Sequence, residues 1–196
     1  VFDSMPSKNI VSWGAMMAGY VHYNENGLAA LDLFKSMEEQ GIQPDQATIL
    51  CTLNACSGTR EVTWGRIVHA KIIESSLSSG HVLGNTLVEM YVKCGSLQEA
   101  RQIFDRLMIR DIVTWSTIMA GYGEEGYVEE VFSLFAQAQK EGMEPDNVMF
   151  GSVLKSCSKA PDLEQGRLVH SHMVQSGCVL EVFIASVLVD MYAKCG

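Results

Sequence analysis

Apolar residues recur along the chain at i, i+3, i+4 and i+7 in a run of short segments, the spacing that places them on one side of an α-helix. Met16, Met17 and Tyr20 form one such stripe, and Leu28, Leu31, Leu33, Phe34 and Met37 form the next. Leu50, Leu53 and Cys56 are followed by Val62, Val68 and Ile72; Leu87, Val88 and Tyr91 are followed by Leu97, Ala100, Ile103 and Phe104. The stripes come in pairs separated by glycines. Gly27, Gly41, Gly95, Gly126 and Gly142 fall where helices should begin or end, because glycine accepts the left-handed conformation that closes a helix. Gly41-Ile42-Gln43-Pro44-Asp45 reads as a helix stop and a turn. The pattern predicts an all-α chain of helix–turn–helix pairs.

The pairs themselves repeat. Ile10-Val11-Ser12-Trp13 returns as Ile112-Val113-Thr114-Trp115, and Ala18-Gly19-Tyr20 as Ala120-Gly121-Tyr122. One residue is then dropped and the offset becomes 101: Gly65-Arg66 and Val68-His69 match Gly166-Arg167 and Val169-His170, and Lys93-Cys94-Gly95 matches Lys194-Cys195-Gly196. Each unit of this length holds three helix pairs, with predicted repeats at 10–45, 46–80, 81–111, 112–146 and 147–181 and partial repeats at 1–9 and 182–196. Every pair exposes apolar surface that only its neighbours can cover, so about six pairs stack into an α-solenoid, a superhelix whose first helices line a concave face suited to an extended polymer.

Composition sharpens this reading. Hydrophobic residues make up 47% of the 196 residues, enough for a packed core and too many for a disordered segment. No apolar run approaches the ~18 residues of a membrane span. The six cysteines include no Cys-x-x-Cys pair, so the usual zinc spacings are missing and no metal or other cofactor is expected. The net charge of −9 gives no simple basic nucleic-acid patch; the expectation is that acids such as Glu38-Glu39, Glu124-Glu125 and Glu129-Glu130 lie on second helices and that cations lie nearer the groove.

Several motifs are weighed against structural roles. Gly121-Tyr122-Gly123-Glu124-Glu125-Gly126 fits the glycine fingerprint of dinucleotide sites, but a helix precedes it where a strand is needed, so it is read as a turn. His170 and His172, two apart on a helix, point to different sides. Cys56 with Cys157, and Cys94 with Cys195, recur in register and are read as packing positions. Trp13 and Trp115 are assigned to the core. No histidine is followed two residues later by Glu, so the signature of a zinc deaminase is absent. No catalytic constellation is present, and no small-molecule substrate is expected.

The stretches Ile112-Val113-Thr114-Trp115 with Ala120-Gly121-Tyr122, Gly166-Arg167-Leu168-Val169-His170, and Leu188-Val189-Asp190-Met191-Tyr192-Ala193-Lys194-Cys195-Gly196 strongly resemble the plant pentatricopeptide repeat family. The resemblance runs the length of the chain. Lengths of 36, 35 and 31, then 35 and 35, resemble the subclass that alternates P-, L- and S-type repeats: 10–45 and 112–146 P-type, 46–80 and 147–181 L-type, 81–111 and the partial ends S-type. It implies a right-handed superhelix, binding of single-stranded RNA, a home in the mitochondrion or chloroplast, and a role in RNA editing or processing, with proteins of an editing complex as further partners.

The resemblance also assigns residues. In this family the fifth and last residues of a repeat select the base and the second packs on it, one base per repeat. Asn85 with Asp111 would read uracil, and Ser116 with Asp146 guanine. Gly14 offers no side chain beside Asp45, so that repeat would be weak. Leu50 with Gly80 and Gly151 with Glu181 resemble no reader and would be spacers. Asn9 would favour an amino base, and Ser186 begins a further repeat. Val11, Val82, Val113 and Phe183 would pack on bases. The competing reading is a protein–protein scaffold of the tetratricopeptide type, although the Trp-x-x-Leu-Gly-x-x-Tyr pattern of that family is missing. Asp or Asn at the end of most repeats favours RNA in this comparison.

Overall fold

The computed structural model describes residues 8–23, 26–75, 80–160, 162–178 and 181–196. Among these residues there are eleven helices: α1 (Ile10–His22), α2 (Gly27–Glu39), α3 (Gln46–Thr59), α4 (Val62–Glu74), α5 (His81–Lys93), α6 (Leu97–Arg106), α7 (Ile112–Glu125), α8 (Val128–Lys140), α9 (Asn147–Lys159), α10 (Leu163–Gln175) and α11 (Val182–Cys195). Odd-numbered helices are the first, and even-numbered helices the second, of each pair. The helices form two compact units, Val1–Leu107 and Met108–Gly196.

In the first unit α1 packs on α3 and α3 on α5, while α2 and α4 bridge successive first helices. The second unit repeats the plan, with α7 on α9, α9 on α11, and α8 and α10 bridging. α3 and α9 are therefore the central helix of each unit, covered on several sides. α9 buries Met149, Phe150, Val153, Leu154 and Cys157, and its small polar residues face inward too. Those hydroxyls turn back on their own helix: Ser156 donates to the Ser152 carbonyl at 2.9 Å, and Thr52 in α3 donates to the Thr48 carbonyl at 2.7 Å. A buried hydroxyl satisfied in this way is spared the cost of an unmet hydrogen bond, and its small side chain leaves room for close helix approach.

The predicted stripes supply the core. Met17, Leu31, Phe34, Met37, Leu53, Val68, Ile72, Leu87, Val88, Tyr91 and Phe104 are all buried, as are Trp13 and Trp115. Leu28 is an exception, being exposed. Gly27 holds the inward position at that turn of α2, in line with Leu31 and Phe34, so Leu28 faces out. A Cβ on Gly27 would lie 2.6 Å from Thr59 Cγ2 and 3.0 Å from the Ala55 carbonyl oxygen. Because backbone blocks the way, we predict that Gly27→Ala destabilises the first unit by about 1–3 kcal/mol despite the better helix propensity of alanine. Urea unfolding followed by circular dichroism measures this, and a variant as stable as the parent would contradict the close α2–α3 approach.

Helix ends follow the glycines. At the end of α2 the Gly41 N–H reaches the Glu38 carbonyl at 2.8 Å and the Ile42 N–H reaches the Met37 carbonyl at 3.1 Å, with Gly41 at φ +75°. Gly142 repeats this closure after α8 at φ +80°, with Met143 bonding Ala138. Such double closure needs a left-handed residue, which glycine supplies without strain. Second helices are tied to one another by surface ion pairs such as the half-buried Lys71–Glu38 at 2.6 Å and the more open Arg66–Glu99. Pairs of this kind contribute at most about 1 kcal/mol each.

Candidate nucleic-acid interface

The first helices carry the expected reading residues at fixed places. The residue before each helix, and the helix's second and fifth residues, form three equivalent sets of positions. Asn9, Asp45, Asp111 and Asp146 precede α1, α3, α7 and α9, and all four are N-caps. Asn9 accepts the Ser12 N–H at 3.0 Å, Asp45 the Thr48 N–H at 2.9 Å, Asp111 the Thr114 N–H at 2.8 Å, and Asp146 the Met149 N–H at 2.8 Å. Gly80 and Glu181 precede α5 and α11 and make no side-chain cap. Capping satisfies orphan backbone donors in any helical array. The presence of Asp or Asn at these places therefore has a structural cause of its own and does not by itself favour RNA over a protein partner.

At the second position the side chains point out. Val11, Val82 and Val113 are 72%, 55% and 61% exposed and Phe183 49%, although all four are apolar. Val148, the second residue of α9, is likewise exposed and joins the four expected packing residues, its place in the helix being the sequence signal for it. Single exposed apolar residues are common, but recurrence at one helical position is a pattern.

The fifth position varies more. Ser116 and Asp146 come together: the Ser116 hydroxyl donates to the Asp146 carboxylate, with Oδ1 at 3.3 Å and Oδ2 at 3.4 Å. Ser116 is itself buried and Asp146 half-buried, so the carboxylate is the more accessible member and the serine orients it. Asn85 in α5 is half-buried, its Nδ2 3.4 Å from His81 Nε2. Ser186 is exposed and donates to the Val182 carbonyl at 2.8 Å. Gly14 has room for a side chain, since a Cβ would meet only Thr48 Cγ2 at 3.5 Å; Asp45, its expected companion, is exposed.

Charge is distributed differently from expectation. Glu124-Glu125 ends α7, a first helix, whereas Glu38-Glu39 and Glu129-Glu130 do lie on second helices. First helices carry four lysines, Lys93, Lys155, Lys159 and Lys194, against four acids; second helices carry seven cations against nine acids. Most of the excess negative charge therefore sits in the caps and connections. α9 contains no acid at all. Lys155 and Lys159 from α9 and Lys194 from α11 surround a cavity of about 310 Å³ that also touches Glu124 and Asp190.

The remaining motifs have structural roles. His69 Nδ1 lies 3.1 Å from the Tyr91 hydroxyl, and His170 repeats the contact with Tyr192 at 2.9 Å. Burial, with help from Arg106, lowers the His69 pKa below its ordinary value. Burial pushes the Cys56 thiol up to about 12 and the Cys157 thiol to about 11, which removes both as nucleophiles at neutral pH. Among the described residues, no helix is long and apolar enough to cross a membrane.

The geometry is that of stacked helix pairs presenting one edge of each first helix, an α-solenoid. Comparison with known proteins agrees. The PPR repeat family profile matches residues 8–58 and 110–159, and a PPR repeat profile matches 85–112. The chain belongs to the pentatricopeptide repeat family. It is 38% identical over its whole length to a mitochondrial pentatricopeptide repeat-containing protein of Arabidopsis thaliana, of which it covers 19%, and 36% identical to a chloroplastic one from the same plant, of which it covers 24%. The chain thus spans about a quarter or less of the length of these relatives. Among solved structures, 98% of it superposes on the pentatricopeptide repeat protein PPR10 in complex with an 18-nt psaJ RNA element, covering 29% of that chain, with TM-score 0.79 and 17% identity. PPR10 from maize gives TM-score 0.83 at 22% identity, with 99% of this chain and 28% of that one covered.

Proposed function

We propose that the chain binds single-stranded RNA along the exposed edges of its first helices, reading one base at each repeat that carries a competent pair. The observation that carries this reading is the Ser116–Asp146 pair. A half-buried carboxylate oriented by a serine hydroxyl, with the exposed apolar Val113 and Val148 at the second positions of the same two helices, matches what an unstacked base requires: a hydrogen-bonding partner at its edge and an apolar surface at its face. The repeat register given above, supported by first helices that begin at Ile10, Gln46, His81, Ile112, Asn147 and Val182, makes the preference guanine there and uracil at the repeat that begins at His81. Read 5′ to 3′ along the protein, the footprint contains U followed by G. Alternating P-, L- and S-type repeats remain part of the proposal, as does a role in editing or processing. The mitochondrial and chloroplastic names of the relatives support an organelle, mitochondrion or chloroplast, as the place of action. In this reading the chain recognises RNA, and any chemistry belongs to other segments or to partners.

The test is selection from a random single-stranded RNA pool with the parent chain and an Asn85→Ser variant side by side. The parent should enrich U-G, and the variant should move the first position towards G. Enrichment of one unchanged motif would remove the base-reading role of Asn85. Enrichment of no motif would point to the scaffold reading, in which the same helices bind a protein.

A further inference from the structure

α7 and α9 are joined at both ends. Towards their N-termini the Ser116 hydroxyl donates to the Asp146 carboxylate, as described above. At the other end Lys159, the last residue of α9, donates to two carbonyls in the last turn of α7, that of Gly123 and, at 3.0 Å, that of Glu124. Carbonyls in the last turn of a helix lack partners within the helix, and a cation there also meets the negative end of the helix dipole. The Gly123 carbonyl has one further partner close by, the Gly126 N–H, at a long 3.3 Å.

The two tethers depend on each other. Asp146 and Lys159 stand at opposite ends of the 13-residue α9, about 20 Å apart along its axis. A single tether would let α7 pivot on α9; two fix its spacing and its rotation. The N-terminal tether is the sensitive one. Its separations of 3.3 and 3.4 Å lie beyond the usual hydroxyl-to-oxygen distance of about 2.7 Å, so a small pivot of α7 releases the carboxylate from the serine.

The first unit supplies a contrast. There α1 packs on α3 as α7 packs on α9. The place of Lys159 is taken by Gly58, which has no side chain to donate, and the place of Ser116 by Gly14. A Cβ on Gly58 would meet nothing within 4 Å, so crowding does not exclude a side chain there. The lysine tether and the serine that orients a carboxylate are thus present together in one unit and missing together in the other.

We propose that Lys159 is a positioning residue for base recognition: by tying the end of α9 to the last turn of α7 it holds Ser116 against Asp146, and it sets discrimination at that repeat without touching the RNA. This role rests on the RNA reading given above. An ammonium engaged by two backbone carbonyls is placed to hold a helix rather than to meet a phosphate.

Fluorescence anisotropy of the 196-residue chain with labelled single-stranded RNA carrying U-G or U-A, over a range of salt concentrations, tests this. Lys159→Met should cut the preference for G over A by about fivefold, the size of one net hydrogen bond, and leave the slope of log affinity against log salt unchanged. Lys159→Arg, which keeps donors for both carbonyls, should stay within about twofold of the parent. In a Ser116→Ala background, Lys159→Met should change the preference no further, because the tether acts through the serine. Urea unfolding checks that the variants are folded, and Lys159→Gln, which keeps one donor, replaces the methionine variant if that one is not. A parent that prefers G, with a Lys159→Met preference within twofold of it, refutes the positioning role and leaves the RNA reading standing. So does an equal loss for both RNAs with a salt slope reduced by about 0.7, the mark of a phosphate contact. A loss of preference as large in the Ser116→Ala background also refutes it. If the parent binds U-G no better than U-A, base reading at this repeat and the positioning role fall together.

Discussion

Trp115→Ala should lower the stability of the second unit by about 3–5 kcal/mol. Trp115 is fully buried at the fourth position of α7, where α7 meets α8 and α9. Its ring packs beneath the Arg110 guanidinium, 5.9 Å from the ring centre, and Arg110 is held by Glu141 at 2.8 Å. Truncation removes the largest apolar side chain of the unit and leaves a cavity that rigid neighbouring helices cannot fill. In stacked repeats each pair depends on its neighbours, so a loss at one interface weakens the cooperative unit. Urea unfolding should show the midpoint falling by more than about 1 M. Trp115→Phe should recover much of the loss, and a drop below about 1 kcal/mol for the alanine variant would show that α7 is not anchored there.

Asp146→Asn should change what the chain binds while leaving its stability within about 0.5 kcal/mol. Asp and Asn cap helices about equally well, so the bond to the Met149 N–H survives. The Watson–Crick edge differs. A carboxylate accepts from the N1–H and N2–H of guanine, whereas an amide can donate to N1 of adenine. Preference at that position should move from G towards A by roughly 1–3 kcal/mol, a tenfold to hundredfold change in relative affinity. Asp146→Ala makes the complementary case: it should lose about 1 kcal/mol of stability together with most discrimination. Thermal unfolding and competition binding on the two variants separate the cap from the reader. If Asp146→Asn binds G and A in the parent ratio, the carboxylate caps α9 and nothing more.

Much of the fold was legible because the chain states its pattern twice. The return of Ile10-Val11-Ser12-Trp13 at Ile112-Val113-Thr114-Trp115, together with glycines such as Gly41 and Gly142, marks helix ends by chemistry that depends on few distant contacts. α3 and α9 were harder to read. Both are buried on several sides, so residues such as Thr48, Thr52, Ser152 and Ser156 lie inward where a one-sided stripe predicts apolar side chains. The candidate site was legible in position and not in geometry. The family resemblance could name Ser116 and Asp146, but not that the serine is buried beneath the carboxylate it orients. It could name Gly151 as a poor reader, but not that Phe183 fills the space. These facts depend on contacts between neighbouring repeats, and no single segment encodes them.

Where the residue before a first helix caps it and, in the proposed reading, also selects a base, that double duty has a consequence for how such an array changes over generations. A position that must satisfy a backbone donor admits a short alphabet, chiefly Asp, Asn, Ser and Thr. Within that alphabet, exchanges alter hydrogen-bond polarity at almost no cost to folding; outside it, they weaken the helix. Asn9, Asp45, Asp111 and Asp146 all belong to it. Capping thus sets the permitted letters; under the proposed RNA reading, selection for RNA would choose among them, and new specificities would lie one or two nearly neutral steps away from old ones.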